Sequence, residues 1–376
     1  MSATCIVTGR TTSSSSSFDD NRRYYSSTVD LRSDTVTAPS RPMLETALTA
    51  KTGDDVMGED PTILQLEEYM ADLCKKEAAL FVPTGTMSNL VAIMAHCDRR
   101  SAEVIVGANS HISLWEGGNA ASLAGVHTRQ IVENDNGTLP LSEIQDAYRL
   151  DDDDHCAKTA LLCMENTHNM MNGSVISLED MKTTKALAKQ LKVPLHVDGA
   201  RIFNASIASQ TSMRQLCEPI DSISICLSKG LGAPLGSVLV GGAEFIRLAK
   251  RARKRCGGGM RQAGVVAAMG LYAVQNNVKR LAEDHQRAQR LEAELHRHGF
   301  HIPRNGQVDT NIVFFALPQD SKVSKQEFSN RLKEEYGVKI GSGYSRGGDY
   351  FRVVTHMDVN DEDVDRATEA IVSLCK

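Results

Sequence analysis

No stretch of this chain approaches the roughly 20 consecutive apolar residues that a membrane-crossing helix needs. The runs at residues 78–82 and 238–240 stop at Pro83 and Gly241. An excess of charge of one sign is also lacking. The 42 basic and 47 acidic residues give a net charge of -5 and are spread along the chain, so no face for nucleic acid or an anionic membrane is expected. The nine cysteines form no CxxC pair and keep no regular spacing, which argues against a zinc site or a disulfide framework. Cys163 and Cys226 lie in apolar runs and read as buried thiols in a reducing compartment. No internal repeat is visible, and neither a Walker nor a dinucleotide glycine pattern occurs.

What is present is enough apolar sequence for a large core. At 376 residues and 41% hydrophobic content, two or three domains of a soluble globular enzyme are expected. Residues 1–28 differ from the rest, with five consecutive serines from Ser13 to Ser17 and little that could pack, and are expected to be disordered. Arg10, Arg22, Arg23 and the stretch Arg23-Tyr24-Tyr25-Ser26 resemble a mitochondrial presequence and its processing site, whereas Asp19 and Asp20 suit a plain tail. Both a cytoplasmic and a mitochondrial location stay open.

From Glu77 onward short apolar runs alternate with segments of helical period. Residues 78–82, 160–164, 193–197, 222–227 and 237–240 read as strands, and 87–96 and 178–191 as helices between them. This alternation implies an α/β large domain, residues 29–275, with a mostly parallel sheet covered on both faces. A basic helix at 244–255 stops at Gly257-Gly258-Gly259, and residues 262–298 read as long helix. Strands at 311–315 and 351–354 with helices at 325–335 and 362–374 form a smaller C-terminal α+β domain, residues 276–376.

In open α/β sheets ligands bind beyond the carboxyl ends of the strands, so the residues just after each apolar run are informative. One run ends in Asp198-Gly199-Ala200-Arg201, where the carboxylate either serves a ligand or caps the next helix. Another ends in Ser228-Lys229-Gly230, where a lysine taken alone would be a solvated side chain. Together they supply what pyridoxal-phosphate chemistry requires: a carboxylate for the pyridine nitrogen and an amine for the cofactor's aldehyde. After the strand at 78–82 the loop Pro83-Thr84-Gly85-Thr86 opens a helix, so the amides of Gly85 and Thr86 suit a phosphate, or Thr84 and Thr86 form an ordinary helix cap. His111 follows the strand at 104–106, where an imidazole can stack on a flat cofactor or serve a structural role. Arg352 stands in an apolar strand and needs an anionic partner, either a substrate carboxylate or a buried acid. Asp151 to Asp154 lacks the glycine-centred turn of a calcium loop and reads as solvated. The basic run 251–255 reads as an exposed helix face, with Lys254 or Arg261 close enough to the glycine turn to approach an anion.

With these residues in place the sequence resembles the low-specificity L-threonine aldolases, pyridoxal-phosphate enzymes of the aspartate-aminotransferase fold type. The resemblance runs from about Val29 to about Val359 and rests on ordered blocks. They are Asp30 to Thr37, Gly53-Asp54-Asp55-Val56, Pro83-Thr84-Gly85-Thr86, Glu165-Asn166-Thr167-His168-Asn169, His196 to Arg201, Cys226 to Gly232, Gly257 to Gln262 and Arg352 to His356. It implies that Lys229 carries the cofactor as a Schiff base, Asp198 pairs with its ring nitrogen, Gly85 and Thr86 hold its phosphate, and His111 stacks on the ring. It further implies that Ser33, Arg201 and Arg352 orient the substrate carboxylate, that His155 is a second active-site histidine, and that Lys254 and Arg261 lie near the cofactor. A homotetramer with active sites at dimer interfaces is implied, and no metal. The implied reaction is retro-aldol cleavage of a small β-hydroxy-α-amino acid, L-threonine or L-allo-threonine, to glycine and acetaldehyde. The base is His111, His155 or a water they hold. A racemase or β-eliminating lyase could use the same residues. A catalytically dead interaction protein would not be expected to keep Lys229, Asp198 and Arg352. One departure from the family pattern is Met170-Met171-Asn172-Gly173, which bears on side-chain preference at that loop.

Overall fold

The computed structural model describes residues 28–150, 153–344 and 350–375. The expected N-terminal tail and presequence features lie outside the described residues, apart from Thr28. Among the described residues eleven strands are formed: β1 (Val29–Leu31), β2 (Ala78–Val82), β3 (Ala102–Gly107), β4 (His127–Ile131), β5 (Lys158–Glu165), β6 (Leu195–Asp198), β7 (Ser222–Cys226), β8 (Ser237–Gly241), β9 (Ile312–Phe315), β10 (Val338–Tyr344) and β11 (Tyr350–Val354). Seven build one sheet in the order β2-β8-β7-β6-β5-β3-β4, in which β8 alone runs against the others. The carboxyl ends of β2, β3, β5, β6 and β7 therefore share one edge.

These strands form because both of their faces are covered. Phe81, Ile105, Leu162 and Val238 enter one apolar layer with Ile63 and Leu66 of the helix Pro61–Cys74. Leu80, Val82 and Leu239 face the other way, onto Ile246 and Ala249 of the helix Ala243–Arg255. Near-continuous apolar runs satisfy both layers at once, as a parallel sheet demands. β4 escaped the apolar-run criterion because His-Thr-Arg-Gln-Ile is an edge strand with only Ile131 buried.

The helix Pro61–Cys74 starts at Asp60, whose carboxylate accepts from the amides of Thr62 and Ile63 and also from Gly53 and Gly264. One buried cap thus joins three segments. Residues 262–298 are two helices, Gly264–Asn276 and Leu281–Arg297. They part at Asn277, whose side chain turns to donate to the Leu231 carbonyl. The basic run 251–255 is not wholly an exposed face. Arg253 is buried, donating to Asp55 Oδ2 at 2.7 Å and to the Phe81 carbonyl at 2.6 Å. The pair offsets part of the cost of taking both ions out of water, while Arg253 Nε stays without an acceptor.

A second sheet, β1-β10-β11-β9, packs on the helices Leu281–Arg297, Lys325–Tyr336 and Asp361–Cys375. The first of its strands comes from the N-terminal segment of residues 29–275. Val29 and Leu31 are buried against β10 in parallel register, so the chain begins in this second sheet before entering the first. The departing loop Met170 to Gly173 joins the two sheets. Asn172 donates to the Gln307 carbonyl and accepts from the Phe314 amide, and Gly173 takes φ +64° where a side chain would meet Thr310. Among the described residues no helix is long and apolar enough to cross a membrane.

Candidate active site

Asp198 ends β6 and is buried, with Oδ1 accepting from the Ala200 amide and Oδ2 from Asn89 Nδ2 at 2.9 Å. Asn89 lies in the helix Gly85–His96, and its other amide hydrogen reaches Glu116 Oε1 at 2.8 Å. Behind Asn89 runs a buried chain: its Oδ1 lies 3.2 Å from His196 Nε2, His196 Nδ1 lies 2.9 Å from Ser222 Oγ, and Ser222 Oγ lies 2.8 Å from His96 Nε2. Asn89 Oδ1 can only accept, so His196 carries its proton on Nε2, Ser222 donates to His196 Nδ1, and His96 donates to Ser222. Every donor in the chain points toward the two acids. Burial pushes His96 down to about 3, helped by neighbouring His196, and pushes His196 down to about 4, so both rings are neutral.

His111 opens the short helix His111–Leu114, its ring Nδ1 3.0 Å from Glu116 Oε1. Burial lowers the proton affinity of His111, but the Glu116 hydrogen bond and the charges of Asp198 and Glu165 outweigh it, and the net shift is upward. Burial, with the nearby Asp198 charge, pushes the Glu116 carboxyl up as well. His111, Glu116 and Asp198 place ligand atoms within 4.8 Å of one another. That spacing would suit a cation, but Asn89 and His111 already donate to these acids, and a cation would have to displace them.

Glu165 ends β5 in register with Asp198. One of its oxygens accepts from the His111 amide at 2.6 Å, the other from the Asn169 amide at 2.8 Å. Asn169 Oδ1 in turn accepts from Arg352 Nη1 at 2.7 Å, while Arg352 Nη2 donates to the Arg32 carbonyl. Arg352 comes from β11, so the second sheet delivers its guanidinium to the edge of the first. His168 and Glu133 form a further buried pair beside this loop at 3.2 Å, with Glu133 also taking both the amide and the side chain of Asn109.

Arg201 follows Asp198 and grips Asp34 with two nitrogens, Nε to Oδ2 at 2.8 Å and Nη2 to Oδ1 at 2.6 Å. Burial would raise the Asp34 carboxyl, but Arg201 and Lys229 outweigh it and hold it well below the usual carboxylate range. Asn311 completes the cage by donating to Asp34 Oδ2. Ser33 caps the turn that carries Asp34. Lys229 Nζ lies 3.6 Å from Cys226 Sγ. A methyl group on Gly85 would lie 2.6 Å from the same sulfur, so only glycine keeps the backbone open at the helix start. Thr84 caps that helix through the Met87 amide, which leaves the amides of Gly85 and Thr86 directed outward at its positive end.

The structure thus gathers Ser33, Gly85, Thr86, His111, Asp198, Arg201, Lys229 and Arg352 around one edge of the seven-stranded sheet. His155, expected as a second active-site histidine, is not gathered with them in this chain. It lies at the amino end of β5, the edge opposite Glu165, with a side chain 95% exposed and bonded to Asp153 in its own turn. Eight strand residues at about 3.3 Å each separate it from that end of β5. Arg261 is exposed and paired with Asp54, and the Lys254 stem packs beside Gly259. Their glycine turn rests on Met87 at the start of the helix Gly85–His96. The residues that sequence reasoning missed are Asp34, Asn89, Glu116 and Glu165. Asp34 and Glu165 stand inside the ordered blocks, and Glu116 follows His111 by five positions. Asn89 and Glu165 carried the signal of a polar side chain in an apolar helix or strand, whereas Asp34 and Glu116 stand in turns and carried none.

Because His96 and His196 stay neutral when folded but accept a proton near 6.5 when unfolded, native stability is expected to fall as pH drops from about 6.5 toward 4. Melting temperatures measured across that window should show the decline, and His96→Gln should flatten it.

Comparison with known proteins agrees with this architecture. The β-eliminating lyase profile matches residues 30–318. The low specificity L-threonine aldolase of Escherichia coli is 44% identical over 335 residues, covering 89% of this chain and 95% of that protein. Low-specificity L-threonine aldolase 1 of Arabidopsis thaliana is 42% identical over 337 residues, covering 89% and 93%. The solved threonine aldolase of Leishmania major superposes with a TM-score of 0.79 at 19% identity, covering 93% of this chain and all of that one, and shares the fold. With its profile match and this coverage by relatives, the chain belongs to the β-eliminating lyase family, among the low-specificity L-threonine aldolases.

Proposed function

We propose that this chain cleaves L-threonine and L-allo-threonine to glycine and acetaldehyde with pyridoxal phosphate as cofactor. The observation that carries the reading is the convergence of Asp198, Lys229 and His111 on one strand-end rim, with Arg352 brought to it from the second sheet. The donor set fits the cofactor: a primary amine, a buried carboxylate, an imidazole and a helix start kept open by Gly85. When bound, the cofactor supplies an electron sink for the carbanion left by bond cleavage.

Within this reading Lys229 holds the cofactor through its amine, Asp198 faces the ring nitrogen, Gly85 and Thr86 take the phosphate, and His111 covers the ring. Ser33, Arg201 and Arg352 orient the substrate carboxylate. Arg201 reaches it with Nη1, since Asp34 occupies its other two nitrogens. With the cofactor bound, clamping the carboxylate would hold the substrate in one orientation, and orientation on pyridoxal phosphate decides which bond breaks. His111 takes the β-hydroxyl proton at Nε2, because Nδ1 is held by Glu116. Lys254 and Arg261 approach the phosphate of a neighbouring subunit in a homotetramer. Support for self-association comes from Leu44 and Leu48 on the helix Arg41–Thr49 and Leu64 on Pro61–Cys74. Both helices pack on Gly264–Asn276, and the Leu48 side is 85% exposed. Light scattering on the purified protein should give about four times the 41.0 kDa chain mass.

Wild type should release acetaldehyde from both epimers, and Lys229→Ala should lose turnover by about 1000-fold or more and trap no cofactor on borohydride treatment. Cofactor binding without acetaldehyde from either epimer would refute the assignment. Racemisation of L-alanine would favour the racemase alternative instead. His111 must be neutral to accept a proton, and its proton affinity is raised, so the rise of kcat/KM with pH should centre above 6.5. Glu116→Gln weakens the hydrogen bond that raises it and should move that rise to lower pH.

A further inference from the structure

We propose that Glu165 is a positioning residue that fixes the spacing between His111 and Arg352, the two groups that meet opposite ends of the substrate. This rests on the aldolase reading above. The Glu165 carboxylate is 5% exposed and makes two bonds in opposite directions, to the amide of His111 at 2.6 Å and to the amide of Asn169 at 2.8 Å. From each bond a short path leads to a functional side chain. On one side, His111 continues to its own ring and Glu116. On the other, Asn169 holds Arg352 Nη1 at 2.7 Å.

The three segments come from different parts of the fold: the helix after β3, the end of β5 and, through Asn169, β11 of the second sheet. No strand ladder joins the helix start at His111 to the loop at Asn169. Both amides belong to backbone outside regular pairing, and without Glu165 each would be a buried or half-buried donor lacking its acceptor. The residue type matters. Both carboxylate oxygens accept, whereas glutamine would turn one N–H donor toward another and could satisfy only one amide. Aspartate keeps the charge but is one methylene shorter and cannot span both amides. Charge-assisted bonds of this length resist being stretched, so His111 and the Arg352 clamp move together or not at all. A substrate gripped by its carboxylate then presents its β-hydroxyl at a set distance from the His111 ring, which is the condition for an efficient proton transfer.

The test uses holoenzyme of wild type, Glu165→Gln and Glu165→Asp. Glycine, which offers a carboxylate and an amine but no β-hydroxyl, reports on the Arg352 side through its inhibition constant. The kcat for L-threonine reports on the His111 side. Both variants are expected to weaken glycine about tenfold and lower kcat about tenfold. Hydrogen exchange should quicken at 110–112 and 168–170 while the core strands keep wild-type protection. Asn169→Ala combined with Glu165→Gln should weaken glycine no further than the worse single variant, since they act on one path. Wild-type glycine binding and kcat in Glu165→Gln would overturn the proposal. So would Glu165→Asp behaving as wild type, or additive effects with Asn169→Ala. If wild type itself yields no acetaldehyde, the aldolase reading has failed, and the exchange data still decide whether Glu165 holds both segments.

Discussion

Asp34 and Arg201 are wholly buried against each other where the two sheets meet, and the site depends on that pair. Asp34 stands just after β1 of the second sheet, and Arg201 just after β6 of the first. Asn311, next to β9, donates to the same carboxylate. Two charges out of water are costly unless their geometry is good, and a two-pronged guanidinium with a third donor meets that condition. Loss of either ion would leave the other buried and unpaired, so the pair holds the N-terminal segment, the end of β6 and the second sheet in one arrangement.

Around this pair the polar groups form linked sets rather than isolated contacts. Asn89 bonds Asp198 and Glu116 with its two amide hydrogens while His196 orders its oxygen. Glu165 does the corresponding task for backbone. In each set an acid receives donors from several segments, which satisfies its lone pairs out of water. His96 and His196 stay neutral because they are buried, and a neutral His196 is what lets Ser222 donate to its Nδ1.

Much of this was legible in the sequence. Apolar runs marked the buried strands, and the residues following them gave Asp198, Lys229, Gly85, Thr86 and His111, because strand-end position is a local property. Arg352 was legible for a similar reason, as a charge inside an apolar strand. What stayed hidden depends on distant partners. Asp34 reads as one acid among many until Arg201, 167 positions away, is seen to grip it. Arg253 looked like part of a solvated basic face because the burying groups, Asp55 and the Phe81 carbonyl, lie far off in sequence. β4 is too polar to stand out, and β1 is too short to be assigned without β10.

The reversed direction of β8 has a consequence for how the site is built. Every other site residue on the first sheet arrives on a turn that leads away into a helix, but Lys229 sits in the connection of a hairpin, between β7 and β8. Leu227 and Gly236 are bonded across the base of that connection, Ala233 returns to Leu227, and Gly232 to Lys229 itself. The backbone that carries the lysine is therefore tied at both ends of the connection, and Asn277 fastens its middle through the Leu231 carbonyl. The lysine thus stands on a closed loop between two paired strands, whereas the other strand-end residues stand where a strand opens into a helix.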